Sequence, residues 1–368
     1  MDSNIGQLMM IGLSGPELTS AEADFITKNN ISGVCLFARN VESPKQIHKL
    51  TKDLRALQSK QTDKAPMFIA IDMEGGRVHR LKPPFTQWPP VGKLGALDST
   101  ALAFKFGNFM GLELLSVGIN LDFAPVIDVL TNNENKVIGD RSLSSDVEVV
   151  EKLGSALVRG YLKSGIVACA KHFPGHGGTW ADSHEELPED PMTLDELKSK
   201  VLGAFKRAFR ARVDMTMTAH VMYPKIDPEN PATFSKFFLK DLLREDFRYQ
   251  GLVVSDDLDM KAVALHYKKD EIPVKALQAG CNMILYCNEP SSPPVALEGI
   301  KKAVKDGTLK AAEIDRLHKL VIGLKLEKLT VLKYPELPEA AKIIGHPDHM
   351  RIAKAIAEGN VPEDMLNT

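Results

Sequence analysis

Residues Lys171 to Pro188 read KHFPGHGGTWADSHEELP, which places three histidines, a lysine, three glycines and several acids in one short stretch. Three chemistries could use them. His172 and His176 stand four apart, a spacing that puts two metal ligands on one helix face. Pro174 and Gly175 lie between them and suit no helix, so a metal on His172, His176, Asp182 and His184 would need a loop-built cage. Gly175, Gly177 and Gly178 could turn amides toward a phosphate, but no Lys-Ser/Thr pair and helix start follow as in a P-loop. Acid–base work is the third option. Asp182 and His184 are two apart, close enough for a carboxylate to orient and charge an imidazole near neutral pH.

A proton donor alone is not a catalyst, and VVSDDLDM (253–260) supplies a nucleophile. Asp256 ends an apolar run, where its carboxylate can point out of a sheet, while Asp257 and Asp259 are expected to cap or neighbour the next helix. A carboxylate nucleophile opposite a separate proton donor is the arrangement of retaining glycosidases. Lys171, Arg80, Arg141 and Asp72 would then hold sugar hydroxyls and an N-acyl group, although each could equally be an ordinary ion pair.

Such groups need a scaffold. Eight apolar, mostly non-alternating runs recur along the chain: 6–13, 31–37, 67–72, 119–128, 166–173, 213–220, 251–256 and 281–287. They read as parallel strands buried on both faces. Amphipathic stretches separate them. Residues 44–57 place Ile47, Leu50, Leu54 and Leu57 on one stripe, and residues 193–209 open with a Thr193/Glu196 capping box. Strands alternating with helices and no linker between them predict an α/β fold, a single (β/α)₈ TIM-type barrel. A doubly wound sheet would call for GxGxxG or GxxxxGK[ST], and neither occurs. Asp72, Asp128, Lys171, His172, His220, Asp256 and Asn288 fall at or just after run ends, and Asp122 lies within the fourth run; barrels build their pockets from polar groups at strand ends. Residues 1–333 are read as the catalytic barrel. Residues 334–368 are read as a helical extension packed on its exterior, with one helix over 346–358.

Composition narrows the partners. The 368 residues carry a formal net charge of −2, which gives no basic field for nucleic acid and no polybasic membrane patch. The N-terminus shows no signal-peptide pattern or membrane span, and Cys35, Cys169, Cys281 and Cys287 sit singly in apolar runs without a CxxC pair. The expectation is a cytoplasmic monomer with buried free thiols, no metal or other cofactor, and a small carbohydrate as its partner.

Several segments together resemble glycoside hydrolase family 3, and within it the bacterial single-domain β-N-acetylglucosaminidases of peptidoglycan recycling. They are IDMEGGRVHRL (71–81), GINLDFAPVIDV (118–129), VIGDRSL (137–143), KHFPGHGGTWADSHEELP and VVSDDLDM. The resemblance implies Asp256 as nucleophile and His184, paired with Asp182, as general acid/base. It further implies Asp72, Arg80, Arg141, Lys171 and His172 as substrate contacts, and GlcNAc-1,6-anhydro-MurNAc, with or without peptide, as substrate. The chain departs from the pattern at Gly178, where an acid is common, at the bulky Trp180, and in the tail after Ala357. A neutral histidine base would not repel an anionic acceptor, so a GlcNAc phosphorylase of the same fold is one alternative. A barrel aldolase with Lys171 as Schiff-base lysine, or a metal-dependent hydrolase, is another.

Overall fold

The computed structural model describes residues 2–180 and 187–365, so Asp182 and His184 lie outside the described residues. The chain folds as a (β/α)₈ barrel. Its strands are β1 (Met9–Gly12), β2 (Gly33–Leu36), β3 (Phe68–Ile71), β4 (Leu121–Asp122), β5 (Val167–Phe173), β6 (Met215–Thr218), β7 (Leu252–Asp257) and β8 (Met283–Tyr286). All eight pair in parallel with their sequence neighbours, and β8 closes the ring on β1 through Met9↔Ile284 to Ile11↔Tyr286. Each strand falls inside one of the eight apolar runs, except that β7 continues one residue past its run, to Asp257. Their side chains are almost all buried, because the barrel interior takes one face and the surrounding helices take the other.

β4 is far shorter than its run. Pro125 has no amide to donate, and the regular ladder ends at Asp122. The chain still runs alongside β5: Cys169 and Lys171 donate to the Ala124 and Pro125 carbonyls, and Ile127 donates back to Lys171. This keeps Asp128 beside the end of β5.

The helices follow their sequence signals with one break. Pro44–Ala56 starts at Ser43, whose hydroxyl accepts from the Gln46 amide, and it buries Ile47, Leu50 and Leu54. The Thr193/Glu196 capping box is present, but the expected helix over 193–209 divides into Leu194–Lys200 and Leu202–Arg210. Val201 leaves helical geometry there and packs its side chain under Gly175, at the exit of β5. A stiff β-branched residue close to Gly203 gives the helix little reason to continue.

Beyond residue 333 the chain forms Leu337–Ile343 and Pro347–Glu358. The latter is capped by the His346 side chain and ends at Gly359, in the left-handed region at φ +76°. Both lie against the barrel helix Thr100–Ser116. Buried Glu113 of that helix accepts from the Thr86 amide and hydroxyl and the Gly345 amide, and it pairs with His349 Nδ1 at 2.7 Å.

Truncating this acceptor strands several donors at once. Glu113→Ala is expected to lower unfolding free energy by about 3 kcal/mol in urea titrations, as breaking a buried pair does. A loss below about 1 kcal/mol would show that the contact contributes little.

Candidate active site

At the C-terminal end of the barrel lies a cavity of about 880 Å³. Asp72, Arg80, Arg141, Lys171, His172 and Asp256, six residues singled out from the sequence, all line it. They arrive from separate elements: Asp72 just after β3, Lys171 and His172 in β5, Asp256 in β7, and Arg141 in a short turn, Gly139–Arg141. The Lys171–His172 and Phe173–Pro174 peptides are both cis.

Lys171 is buried at the cavity floor rather than standing on its rim. Its ammonium lies 2.6 Å from Asp72 Oδ1 and 2.7 Å from Glu74 Oε1. Glu74 also receives Arg141 through two parallel bonds, Nε at 2.7 Å and Nη2 at 2.9 Å. Burial alone would discharge the amine, but Asp72 and Glu74 outweigh it and hold Lys171 well above the usual lysine value. Glu74, despite burial, is held far below the usual carboxylate range by Lys171 and Arg141. An amine kept this firmly protonated is a poor Schiff-base nucleophile, which removes the reason for an aldolase reading.

Glu74 was not singled out in the sequence. It sits on a small antiparallel hairpin, Met73–Gly75 with Val78–His79, directly after β3. The available signal was the acid inside DMEGGR, between two expected substrate contacts and with two expected cations lacking enough partners.

His172 is set by Asp128. The carboxylate accepts the His172 amide and contacts ring Nδ1 at 2.7 Å, leaving Nε2 as the ring nitrogen not engaged by Asp128. The same carboxylate accepts the His176 amide at 2.7 Å. The His176 ring is buried and lies 3.0 Å from the Thr179 hydroxyl, and burial together with the neighbouring His172 lowers it to about 4. It is therefore a neutral residue that shapes the loop. Gly177 and Gly178 are required by close packing: a Cβ on Gly177 would fall 1.9 Å from the Val129 carbonyl oxygen, and one on Gly178 would fall 2.1 Å from Asp190 Oδ2. Among the described residues, no three histidine, cysteine or carboxylate side chains are grouped as a metal cage requires.

The two adjacent acids of β7 differ in state. Burial would raise Asp256, but His220, His172, Lys171 and the Asp257 amide reverse this and set it below the usual aspartate value. Asp257 is pushed up to about 7 by burial and by Asp259. Its oxygens accept from the Asp259 and Cys287 amides and from the Asn288 side chain, while Asp259 accepts the Asn288 and Glu289 amides. These two acids were expected at the helix that follows. They instead join the ends of β7 and β8, and the short helix Lys261–Ala264 has Met260 at its cap position. Asp256 is thus the ionised carboxylate of the pair facing the cavity.

His220, Asp122 and Asp128 stand behind the cavity rather than on its wall. His220 is buried between the Thr233 hydroxyl and the Asp257 carbonyl. Asp122 accepts the Met73 amide at the root of the hairpin. Arg80 lines the wall, its guanidinium 5.9 Å from the centre of the Phe37 ring, and its buried Nε has no hydrogen-bond partner among the described residues.

A barrel with these groups at its mouth can be compared with known proteins. The family described as Glycosyl hydrolase family 3 N terminal domain matches residues 1–324. The chain belongs to glycoside hydrolase family 3. A relative from Alkalilimnicola ehrlichii, named Beta-hexosaminidase, is 41% identical over 299 residues, which is 80% of this chain and 84% of that protein. Among solved structures, a family 3 β-N-acetylglucosaminidase from Paenibacillus sp. superposes with a TM-score of 0.93 at 34% identity, over 98% of this chain and 68% of that one. Native NagZ from Neisseria gonorrhoeae superposes with a TM-score of 0.78 at 31% identity, over 96% and 98%.

The floor cluster should leave a signature in acid. Glu74 is depressed in the fold, so its stabilisation is full above its ordinary value of 4.5 and is lost as pH falls toward its folded value. Thermal unfolding followed from about pH 6 to about pH 3 should therefore show a falling acid limb that Glu74→Gln flattens. Equal slopes for the two proteins would count against the cluster's charge state.

Proposed function

We propose that this family 3 glycoside hydrolase is a retaining exo-β-N-acetylglucosaminidase acting on peptidoglycan fragments such as GlcNAc-1,6-anhydro-MurNAc, with or without peptide. The activity class, β-N-acetylhexosaminidase, follows from family membership together with the many relatives named Beta-hexosaminidase. The observation that carries the mechanism is the contrast within β7: both Asp256 and Asp257 line the cavity, but Asp257 is committed to the Asp259 and Cys287 amides and the Asn288 side chain, while nearby His220, His172 and Lys171 hold the Asp256 carboxyl below the usual aspartate value.

In this reading Asp256 attacks the anomeric carbon of a terminal β-GlcNAc residue, displacing the glycosidic oxygen. His184, its cationic form stabilised by Asp182, gives that oxygen a proton. Water then loses a proton to the neutral His184 and attacks the glycosyl-aspartate ester, which restores Asp256 and retains configuration. Asp72, Lys171 and Arg141, with Glu74 behind them, offer carboxylate acceptors and cationic donors to ring hydroxyls. His172 and Arg80 add donors on either side. The enzyme acts in the cytoplasm as a monomer, with residues 334–368 as an extension of the barrel. In keeping with this, no helix among the described residues is long and apolar enough to cross a membrane.

The residues can be separated kinetically. Asp256→Ala should cut turnover of p-nitrophenyl β-GlcNAc at least about a thousandfold with the fold intact, and a near-normal rate would remove Asp256 from its role. His184→Ala should lose about a hundredfold or more on a GlcNAc disaccharide, and much less on the aryl glycoside, whose leaving group needs little protonation. Equal losses on both would argue against an acid role for His184.

A further inference from the structure

We propose that Ser255 is a positioning residue for the reaction: its hydroxyl holds a bulge in β7, and that bulge aims Asp256 at the sugar. The inference rests on the glycosidase reading above, in which Asp256 is the nucleophile.

β7 keeps regular register only as far as Val254. It pairs with β6 from Met215↔Leu252 to Met217↔Val254, and with β8 at Met283↔Val254. The next pairing with β8 is Leu285↔Asp257, so β7 advances three residues while β8 advances two. Ser255 and Asp256 together stand opposite Ile284, which is a β-bulge. Its effect shows in the cavity. Successive side chains of a regular strand point to opposite faces, yet Asp256 and Asp257 both line the cavity wall. The extra residue is what lets Asp256 turn inward beside its neighbour.

A bulge disturbs the ladder, and side chains hold it in place here. The Leu285 amide donates to Ser255 Oγ at 3.1 Å, a side-chain acceptor at the point where register is lost. Ser255 is fully buried, so water cannot stand in for that hydroxyl. Beyond it, the Leu258 amide donates to the Leu285 carbonyl at 2.9 Å and the Cys287 amide to Asp257 Oδ1 at 3.1 Å. His220 Nε2 meets the Asp257 carbonyl at 3.1 Å. The Asp257 amide, set by these contacts, donates to Asp256 Oδ1 at 2.7 Å. The carboxylate therefore takes its direction from the bulge. Ser255 does not itself line the cavity, so its influence on the reaction passes through Asp256.

The test uses Ser255→Ala, which removes the hydroxyl, and Ser255→Cys, which keeps nearly the same shape with a much weaker acceptor. Both are assayed on p-nitrophenyl β-GlcNAc beside wild type and Asp256→Ala, and circular dichroism melts establish that each protein is folded at the assay temperature. Both Ser255 variants should lose roughly tenfold to a hundredfold in kcat with KM kept within about threefold, the pattern of a misaimed nucleophile in an intact cavity. A loss confined to KM overturns the proposal, as does a kcat within about twofold of wild type in Ser255→Cys, which would leave Ser255 a space-filling role alone. If Asp256→Ala keeps a near-normal rate, it is the glycosidase reading that has failed.

Discussion

A permanently charged lysine at the bottom of a cavity is the constraint around which this barrel is arranged. Lys171 is 2% exposed and can remain an ammonium only because two carboxylates reach it, from Asp72 at the end of β3 and from Glu74 on the following hairpin. Glu74 in turn requires Arg141, brought in by the Gly139–Arg141 turn. Two cations and two anions balance, so the floor carries no net charge. It nevertheless offers both acceptors and donors, which is what a ring of hydroxyls can use without expelling an ion.

The neighbouring carboxylate Asp128 does a different job. It gathers the amides of His172 and His176 and the His172 ring, fixing the path of the chain as it leaves β5. The regular ladder of β4 ends early, and the chain continues along β5 through a single parallel bridge between Val126 and Lys171, which brings Asp128 to the end of that strand. Gly177 and Gly178 then allow the loop to lie directly on the 129–130 backbone and on the Thr131 and Asp190 side chains. The result is a loop anchored from its start as far as Trp180, and the proposed acid/base follows four residues later.

Much of the fold was legible because parallel strands buried on both faces write themselves as continuous apolar runs, and a barrel strand begins in each of the eight runs. The Thr193/Glu196 cap and the 346–358 helix were equally local signals. Packing decided the rest. The break at Val201 answers to Gly175, which is distant in sequence, and the apolar pattern runs on past the point where the β4 ladder ends. The site divides in the same way. Asp72, Arg80, Arg141, Lys171, His172 and Asp256 could be picked out by residue type at run ends and by motif, and they meet in one cavity. Glu74 escaped notice because its importance lies in what it neutralises. Asp257 and Asp259 were assigned to a helix start, whereas their partners are amides after β8, a relation that sequence proximity does not contain.

The central claim is that Asp256 forms a covalent bond to the sugar. Incubating the enzyme with a fluorinated GlcNAc-type substrate that forms the ester quickly and releases it slowly, then mapping the adduct by peptide mass spectrometry, tests this directly. The account predicts one added glycosyl unit on the peptide that contains Asp256, together with a product that keeps the β configuration when an unmodified substrate is followed by proton NMR. An adduct on Asp257 or elsewhere, or an inverted product with no adduct, would contradict it.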